Sequence, residues 1–323
     1  MSEVPVRILT FGAATQDVFL TGEALHAHRV VHTRDYVEQF PLGVKIDIEA
    51  VYYDTGGGAT NAAVTFARQG LDVGYVGKIG HDPAGTEVTR ALIHEGVALD
   101  RMVVDPKRST GFSAILVAAG GERTILVHRG ASHELKTRDV AIGTLEADWF
   151  YISSLAGNFD LLGRLLKHAH LHGIQVALDP GNAELEQADK LRPLLRLVTV
   201  IKANAQELAA LFGGSDVKDT VARAHGTCPY VVGTNGSAGS YAAVAGKLYQ
   251  AGAYRKVRAV DRTGAGDAFG SGFVAALAKG RVIEDALSLG SANATSVIAQ
   301  FGAKTGILKT GRIKRMRIKV SDL

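Results

Sequence analysis

The sequence predicts an α/β fold with a mostly parallel central sheet flanked by helices, and three features point to it. Short β-branched or apolar runs at 8–11, 73–76, 149–153, 175–178, 199–201 and 230–232 have the near-continuous hydrophobicity of strands buried on both faces. Helical patterns fit between them at 61–69, 85–95, 161–172, 206–211 and 217–225, the alternation of a parallel sheet covered by helices. That alternation persists nearly to the end with no Pro- or Ser-rich linker and no repeat period, so residues 1–323 are expected to form a single domain.

Two stretches break the pattern, about 18–54 and 106–130. In the second, 112–118 and 123–127 flank Gly120-Gly121 and read as a β-hairpin, because glycine reaches positive φ without steric cost. A small β lid projecting from the main sheet accounts for both, and such an appendage can cover a site or form a homodimer face.

Bulk composition narrows the function classes. With 323 residues, 46% of them hydrophobic, the chain can bury one large core. Its apolar runs are too short to span a bilayer and no basic-then-apolar leader opens it, so a cytoplasmic protein with no membrane partner is expected. The single cysteine, Cys228, sits among Pro229, Tyr230 and Val231 and reads as a packed thiol. A net charge of +4 is spread along the chain among 32 carboxylates, which favours small anionic ligands over nucleic acid. The one dense basic run, Lys309, Arg312, Lys314, Arg315, Arg317 and Lys319, alternates with Ile313, Met316 and Ile318 as in a solvated last helix or an edge strand.

The strongest local signal is Asp261-Arg262-Thr263-Gly264-Ala265-Gly266-Asp267, leading into a helix whose apolar stripe is Phe269, Phe273 and Leu277. Small residues before a helix start let a ligand approach the backbone, and free N–H groups at the positive end of the dipole suit a phosphate. Asp267 in the first turn reads equally as a cap for those N–H groups or as a base that takes a proton beside an anion site.

Asp261 to Asp267 resembles the C-terminal signature of the PfkB, or ribokinase-like, carbohydrate kinases, with Asp267 as the catalytic Asp and Arg262 as a departure. An independent run, Gly56-Gly57-Gly58-Ala59-Thr60-Asn61-Ala62-Ala63 with Gly70 and Gly80, resembles the N-terminal signature. A Rossmann loop is excluded there because Asn61 stands where glycine is required. Glycines allow a polyhydroxylated ligand to touch backbone, and Asn61 offers a donor and acceptors to hydroxyls. Asp17, just after the first strand, can accept two hydroxyl hydrogen bonds from a diol, against the plainer reading of a loop-capping Asp. Asn204-Ala205-Gln206-Glu207 resembles the family's Asn-x-x-Glu motif and is also a good capping box, while Thr234-Asn235-Gly236-Ser237-Ala238-Gly239 resembles its nucleotide loop.

The resemblance spans nearly the whole chain and implies an ATP- and Mg²⁺-dependent kinase acting on a hydroxyl, the primary CH₂OH, of a small sugar. It makes Asp267 the general base and Gly264, Ala265 and Gly266 the anion hole. Asp17, Gly57, Gly58 and Asn61 become substrate contacts, and Asn204, Thr234, Gly236, Gly239 and Asn293 nucleotide contacts. Glu207 would hold Mg²⁺ through water, and Asp261 with Thr263 would serve a K⁺-like ion, although Gln300 replaces the basic residue usual before Gly302-Ala303. With Gly58 where ribokinase itself carries Lys, a nucleoside acceptor stays open beside a sugar, as does a non-catalytic sugar-sensing relative.

Overall fold

The computed structural model describes residues 5–25, 28–29, 36–118, 123–254, 257–311 and 313–323. Its main sheet is nine-stranded, and from one edge it runs Asp72–Val76, Arg7–Phe11, Trp149–Ile152, Gln175–Leu178, Val200–Asn204, Tyr230–Thr234, Ser240–Val244, Lys247–Ala251 and Ile318–Asp322. Neighbours from Asp72–Val76 to Tyr230–Thr234 pair in parallel, and the remaining strands continue antiparallel. The mostly parallel sheet read from the sequence is therefore present. The basic C-terminal run ends as the outer edge strand, the second of the two alternatives for it, with Arg315 paired to Asp285 at 2.6 Å; Arg312 lies outside the described residues.

Strand residues face alternately to the two sides of the sheet, which explains the two cores. Phe150 and Ile152 join Leu9, Phe11, Leu165 and Leu208 on one side, beneath helices Phe159–His172, Ala205–Phe212 and Val217–Ala224. Trp149 and Tyr151 join Ile8, Phe66, Val88 and Phe273 on the other, beneath helices Gly58–Arg68, Pro83–His94, Ala265–Ala278 and Ile283–Val297. Local chemistry sets the helix ends. The Asp82 side chain accepts from the Gly85 N–H with Pro83 in the first turn, and Asn158 accepts from the Leu161 N–H before the helix that stops at left-handed Gly173.

The two interruptions of the alternation come together as a second sheet, ordered Arg123–His128, Gly111–Val117, Thr15–Thr21 and Ala50–Gly56. The expected hairpin is its antiparallel outer pair, while the Gly120-Gly121 turn lies outside the described residues. Asp17, expected in a loop, instead occupies this sheet, level with Asp54 and Ser113 on either side. The two faces differ. Ile115, Phe19 and Asp17 are buried on one, whereas Leu126, Tyr53 and Val51 on the other are 57%, 70% and 44% exposed.

The end of helix Gly58–Arg68 is clasped to the C-terminal segment. Arg68 makes two bonds to the Glu95 carboxylate, at 2.9 and 2.6 Å, and its Nη1 donates to the carbonyls of Lys304 and Ile307, both at 2.8 Å. The pair is mostly buried, so removing one partner strands the other charge. Arg68→Ala is expected to lower stability by about 3 kcal/mol in urea unfolding, the size found for breaking a buried pair.

Candidate active site

Two helices enter the site with unusual N-termini. Helix Gly58–Arg68 begins after Gly57 at φ 98°, and helix Ala265–Ala278 after Gly264 at φ 74°, and neither has a side-chain cap. Both first turns therefore present N–H groups to whatever lies in front of them. Glycine is required at both positions twice over, by the positive φ and by crowding where a Cβ would stand. A Cβ on Gly57 would run into the Ala13 carbonyl, and one on Gly264 would stand 2.5 Å from the Ala303 Cβ. The signature loop Gly264-Ala265-Gly266 thus rests on Ala303 of the C-terminal segment.

The structure brings Asp267, Asn61, Asp17 and the glycine run together. Asn61 Nδ2 donates to Asp267 Oδ2 at 2.7 Å, and a Cβ on Gly58 would point between Ser153 Oγ and Asp267 Oδ1, 3.3 Å from the latter. Gly56 lies against Asp17 Oδ2, so the glycines separate the two carboxylates. Asp17 is 5% exposed; burial raises its pKa, opposed by hydrogen bonds from Ser113 and Thr15 and by the nearby Lys304. Asn61 departs from its expected role as a free hydroxyl ligand. Its Oδ1 accepts from Lys304 Nζ at 2.8 Å and its amide already holds Asp267, so it is a brace between two charged groups.

Two buried lysines escaped the sequence reading. Lys202 makes two bonds to Asp179, at 2.9 and 3.0 Å, with Tyr151 Oη donating to Asp179 Oδ2 at 3.1 Å. The ammonium lies 3.1 Å from where a Gly266 Cβ would be, directly beside the signature loop. Burial alone would lower the Lys202 pKa, but Asp179, Glu207 and Asp267 outweigh it and raise it, while burial pushes Asp179 up to about 6 against the pull of Lys202. At neutral pH this is a buried ion pair. Among the described residues Lys304 Nζ has no carboxylate in hydrogen-bonding contact; it donates to Thr55 O, Thr60 Oγ1 and Asn61 Oδ1 at 2.5, 3.0 and 2.8 Å. A charged residue inside the buried run 200–203, and one directly after Gly302-Ala303, were the signals that mark them.

On the other side of Ala265 and Gly266 opens a cleft of about 650 Å³. Thr234, Gly236 and Gly239 of the expected nucleotide loop line it, and Arg262, the departure from the signature, lines it too. Asn204 is the register partner of Thr234, with its Oδ1 accepting from the N–H groups of Gln206 and Glu207. Asn293 is a correction. It is fully buried, bonded to Ala268 O, Thr65 Oγ1 and the Leu308 N–H, and the cleft is lined instead by Ser291, Ala294, Thr295 and Ile298 on another face of the same helix.

The ion ligands divide. Glu207 Oε2 accepts from the Asn204 N–H at 2.7 Å, and although Glu207 does not itself line the cleft, a carboxylate acting through water suits Mg²⁺, which retains water and takes few protein ligands. Among the described residues no three His, Cys, Asp or Glu gather into a metal cluster. Asp261 and Thr263 do not fit a monovalent cation. Asp261 Oδ1 accepts from Thr263 N and Oγ1 at 2.9 and 2.7 Å, Oδ2 accepts from the Gly302 N–H at 3.2 Å, and the Arg123 guanidinium stands 3.9 Å away. The Arg123 guanidinium already supplies a positive charge beside this carboxylate.

Residues 18–310 match the profile of the pfkB family carbohydrate kinases. The chain belongs to that family. This PfkB kinase is accordingly a phosphotransferase with an alcohol group as acceptor. It is 33% identical over 238 residues to a fructokinase of Klebsiella pneumoniae, covering 69% of this chain and 76% of that one. A ribokinase of Bacillus subtilis is 30% identical over 272 residues, covering 81% and 87%. In three dimensions the PfkB kinase resembles a putative ribokinase II of E. coli, solved with ATP and Mg²⁺, at a TM-score of 0.78 and 20% identity over 94% of this chain and 96% of that one.

Gly264 tests the loop geometry without reference to substrate. Gly264→Ala must hold an L-residue at φ 74° and displace Ala303. The expected loss is roughly 1–2 kcal/mol from the backbone alone, read as a lower urea midpoint.

Proposed function

We propose that this kinase moves the γ-phosphoryl group of ATP onto the primary hydroxyl of a small sugar, with Asp267 as general base. The observation that carries the reading is the position of Asp267 at the N-terminus of helix Ala265–Ala278, with the glycine run against which Asp17 packs on one side and the 650 Å³ cleft lined by Ala265 and Gly266 on the other. A carboxylate there can reach an acceptor hydroxyl from one side while phosphates approach from the other. The ATP and Mg²⁺ in the E. coli neighbour favour the same donor, and the reading places the protein in the cytoplasm, where that donor is found.

In this mechanism Asp17 holds a diol of the sugar and Gly57 and Gly58 give it backbone contact. The hydroxyl then donates to Asp267 Oδ1, the oxygen not engaged by Asn61. As it attacks in line, its proton passes to Asp267. The N–H groups of Gly264, Ala265 and Gly266 meet the charge on the transferring oxygens, with Lys202 beneath and Arg262 in the cleft adding positive charge. Thr234, Gly236 and Gly239 carry the nucleotide, with Asn204 beside them at its phosphate end. Mg²⁺, held through water by Glu207, would shield the phosphates.

The second sheet acts as a lid within one catalytic unit spanning the chain. Its inner face brings Asp17 to the site, and its apolar outer face suits a second copy of the same sheet. Sedimentation should find a homodimer that Leu126→Asp converts to monomer; a monomeric parent protein overturns this part of the reading.

Asp267→Asn is expected to keep sugar and nucleotide binding and to lose about 10²- to 10⁴-fold in kcat, the range for a missing general base. Asp17→Ala should raise the KM for sugar instead. ADP release across sugars, sugar phosphates and nucleosides identifies the acceptor. Turnover only with nucleosides replaces the sugar reading, and sugar binding without ADP release marks a non-catalytic sensor.

A further inference from the structure

We propose that Lys304 is a positioning residue for Asp267, acting through the side-chain amide of Asn61. The proposal rests on the reading of Asp267 as the base.

Lys304 is 6% exposed, and its ammonium has three donors for three acceptors: Thr55 O, Thr60 Oγ1 and Asn61 Oδ1. An ammonium cannot accept a hydrogen bond, so the Asn61 oxygen must face Lys304 and its NH₂ must face away. That orientation delivers Nδ2 to Asp267 Oδ2 at 2.7 Å. With the opposite amide orientation, an oxygen would meet the carboxylate and NH₂ would meet the ammonium, two repulsive contacts in a buried site. Lys304 therefore fixes which oxygen of Asp267 is occupied and leaves Oδ1, on the Gly58 and Ser153 side, to take the proton.

The charge on Lys304 is conditional. Burial pulls its pKa down to about 8, partly offset by Asp54, Asp17, Asp267 and Glu95, while Arg68 sits on its backbone carbonyl. Once deprotonated, the amine keeps two donors for the same three acceptors. Thr60 cannot replace the missing one, because its hydroxyl already donates to Gly56 O at 2.6 Å. The amide of Asn61 then loosens and kcat falls. Stability moves the other way. The folded pKa is below the unfolded one, so the unfolded chain binds more protons between pH 8 and about 10.4, and this group's contribution to stability rises with pH over that window. A fall in activity above pH 8 without a fall in stability is therefore the signature of Lys304.

Lys304→Met, Lys304→Gln, Asn61→Ala and Lys304→Met/Asn61→Ala are compared with the parent enzyme by kcat and KM from pH 6.5 to 9.5. The expected result for Lys304→Met is a loss of kcat of about 10- to 100-fold with KM changed less than about twofold, and no alkaline limb near pH 8. The double variant should be no slower than Asn61→Ala alone. Lys304→Gln keeps a donor for Asn61 Oδ1 without a titrating group, so it should recover part of the lost kcat and give a flat profile, which tests the idea even where Lys304→Met does not fold. Multiplicative losses in the double variant, or an alkaline limb near pH 8 that persists in either Lys304 variant, overturn the proposal. Asp267→Asn in the same assay separates the two readings, since full activity there removes Asp267 as base whatever Lys304 does.

Discussion

The site is organised by the near approach of two helix N-termini, bridged by the hydrogen bond from Asn61 to Asp267. Helices Gly58–Arg68 and Ala265–Ala278 begin at left-handed glycines, and Gly58 and Gly266 leave room for Ser153 and Lys202 to come up close. Bulk at any of these positions would collide with Ala13, Ser153, Lys202 or Ala303 and disturb the packing that brings Asn61 to Asp267. The small-residue motifs are thus a packing constraint first and a binding feature second. The same closeness concentrates positive electrostatic potential from two helix dipoles around Asp267.

The two buried lysines show how little geometry separates a permanent charge from a conditional one. Lys202 and Lys304 are equally removed from water, at 7% and 6% exposure. Lys202 touches a carboxylate and its pKa is raised, whereas Lys304 touches neutral oxygens, with its carboxylates further off, and is pulled down to about 8. Direct contact with Asp179 offsets the desolvation of Lys202; Coulomb attraction from Asp17, Asp54 and Asp267 only partly offsets that of Lys304.

Much of this was legible in the sequence, for physical reasons. Buried parallel strands are continuous apolar runs, so their order along the chain could be read, and glycine motifs reveal close backbone approach because no other residue permits it. What sequence could not supply was partnership across long separations. Asn61 looked like a free amide until Lys304 and Asp267 claimed both its ends, and Asp261 looked like an ion ligand until Gly302 and Arg123 were found around it. Asn293 failed for a different reason. Helical phase turned it into the core while Ser291 and Thr295 took the cleft. The second sheet was anticipated as a small β lid with one hairpin, but the pairing of Thr15–Thr21 with Gly111–Val117 was not, since such strands give no local sign of their partner.

The clasp of Arg68 on the carbonyls of Lys304 and Ile307 has a bearing on how the protein matures during synthesis. The glycine run, Asn61 and the nucleotide loop all leave the ribosome well before residues 302–307. Until that segment emerges, Asn61 has no ammonium against its oxygen and Gly264 has no Ala303 to rest on. A nascent chain can therefore bury most of its two cores while Asp267 and its loop remain unbraced until residues 302–307 have emerged.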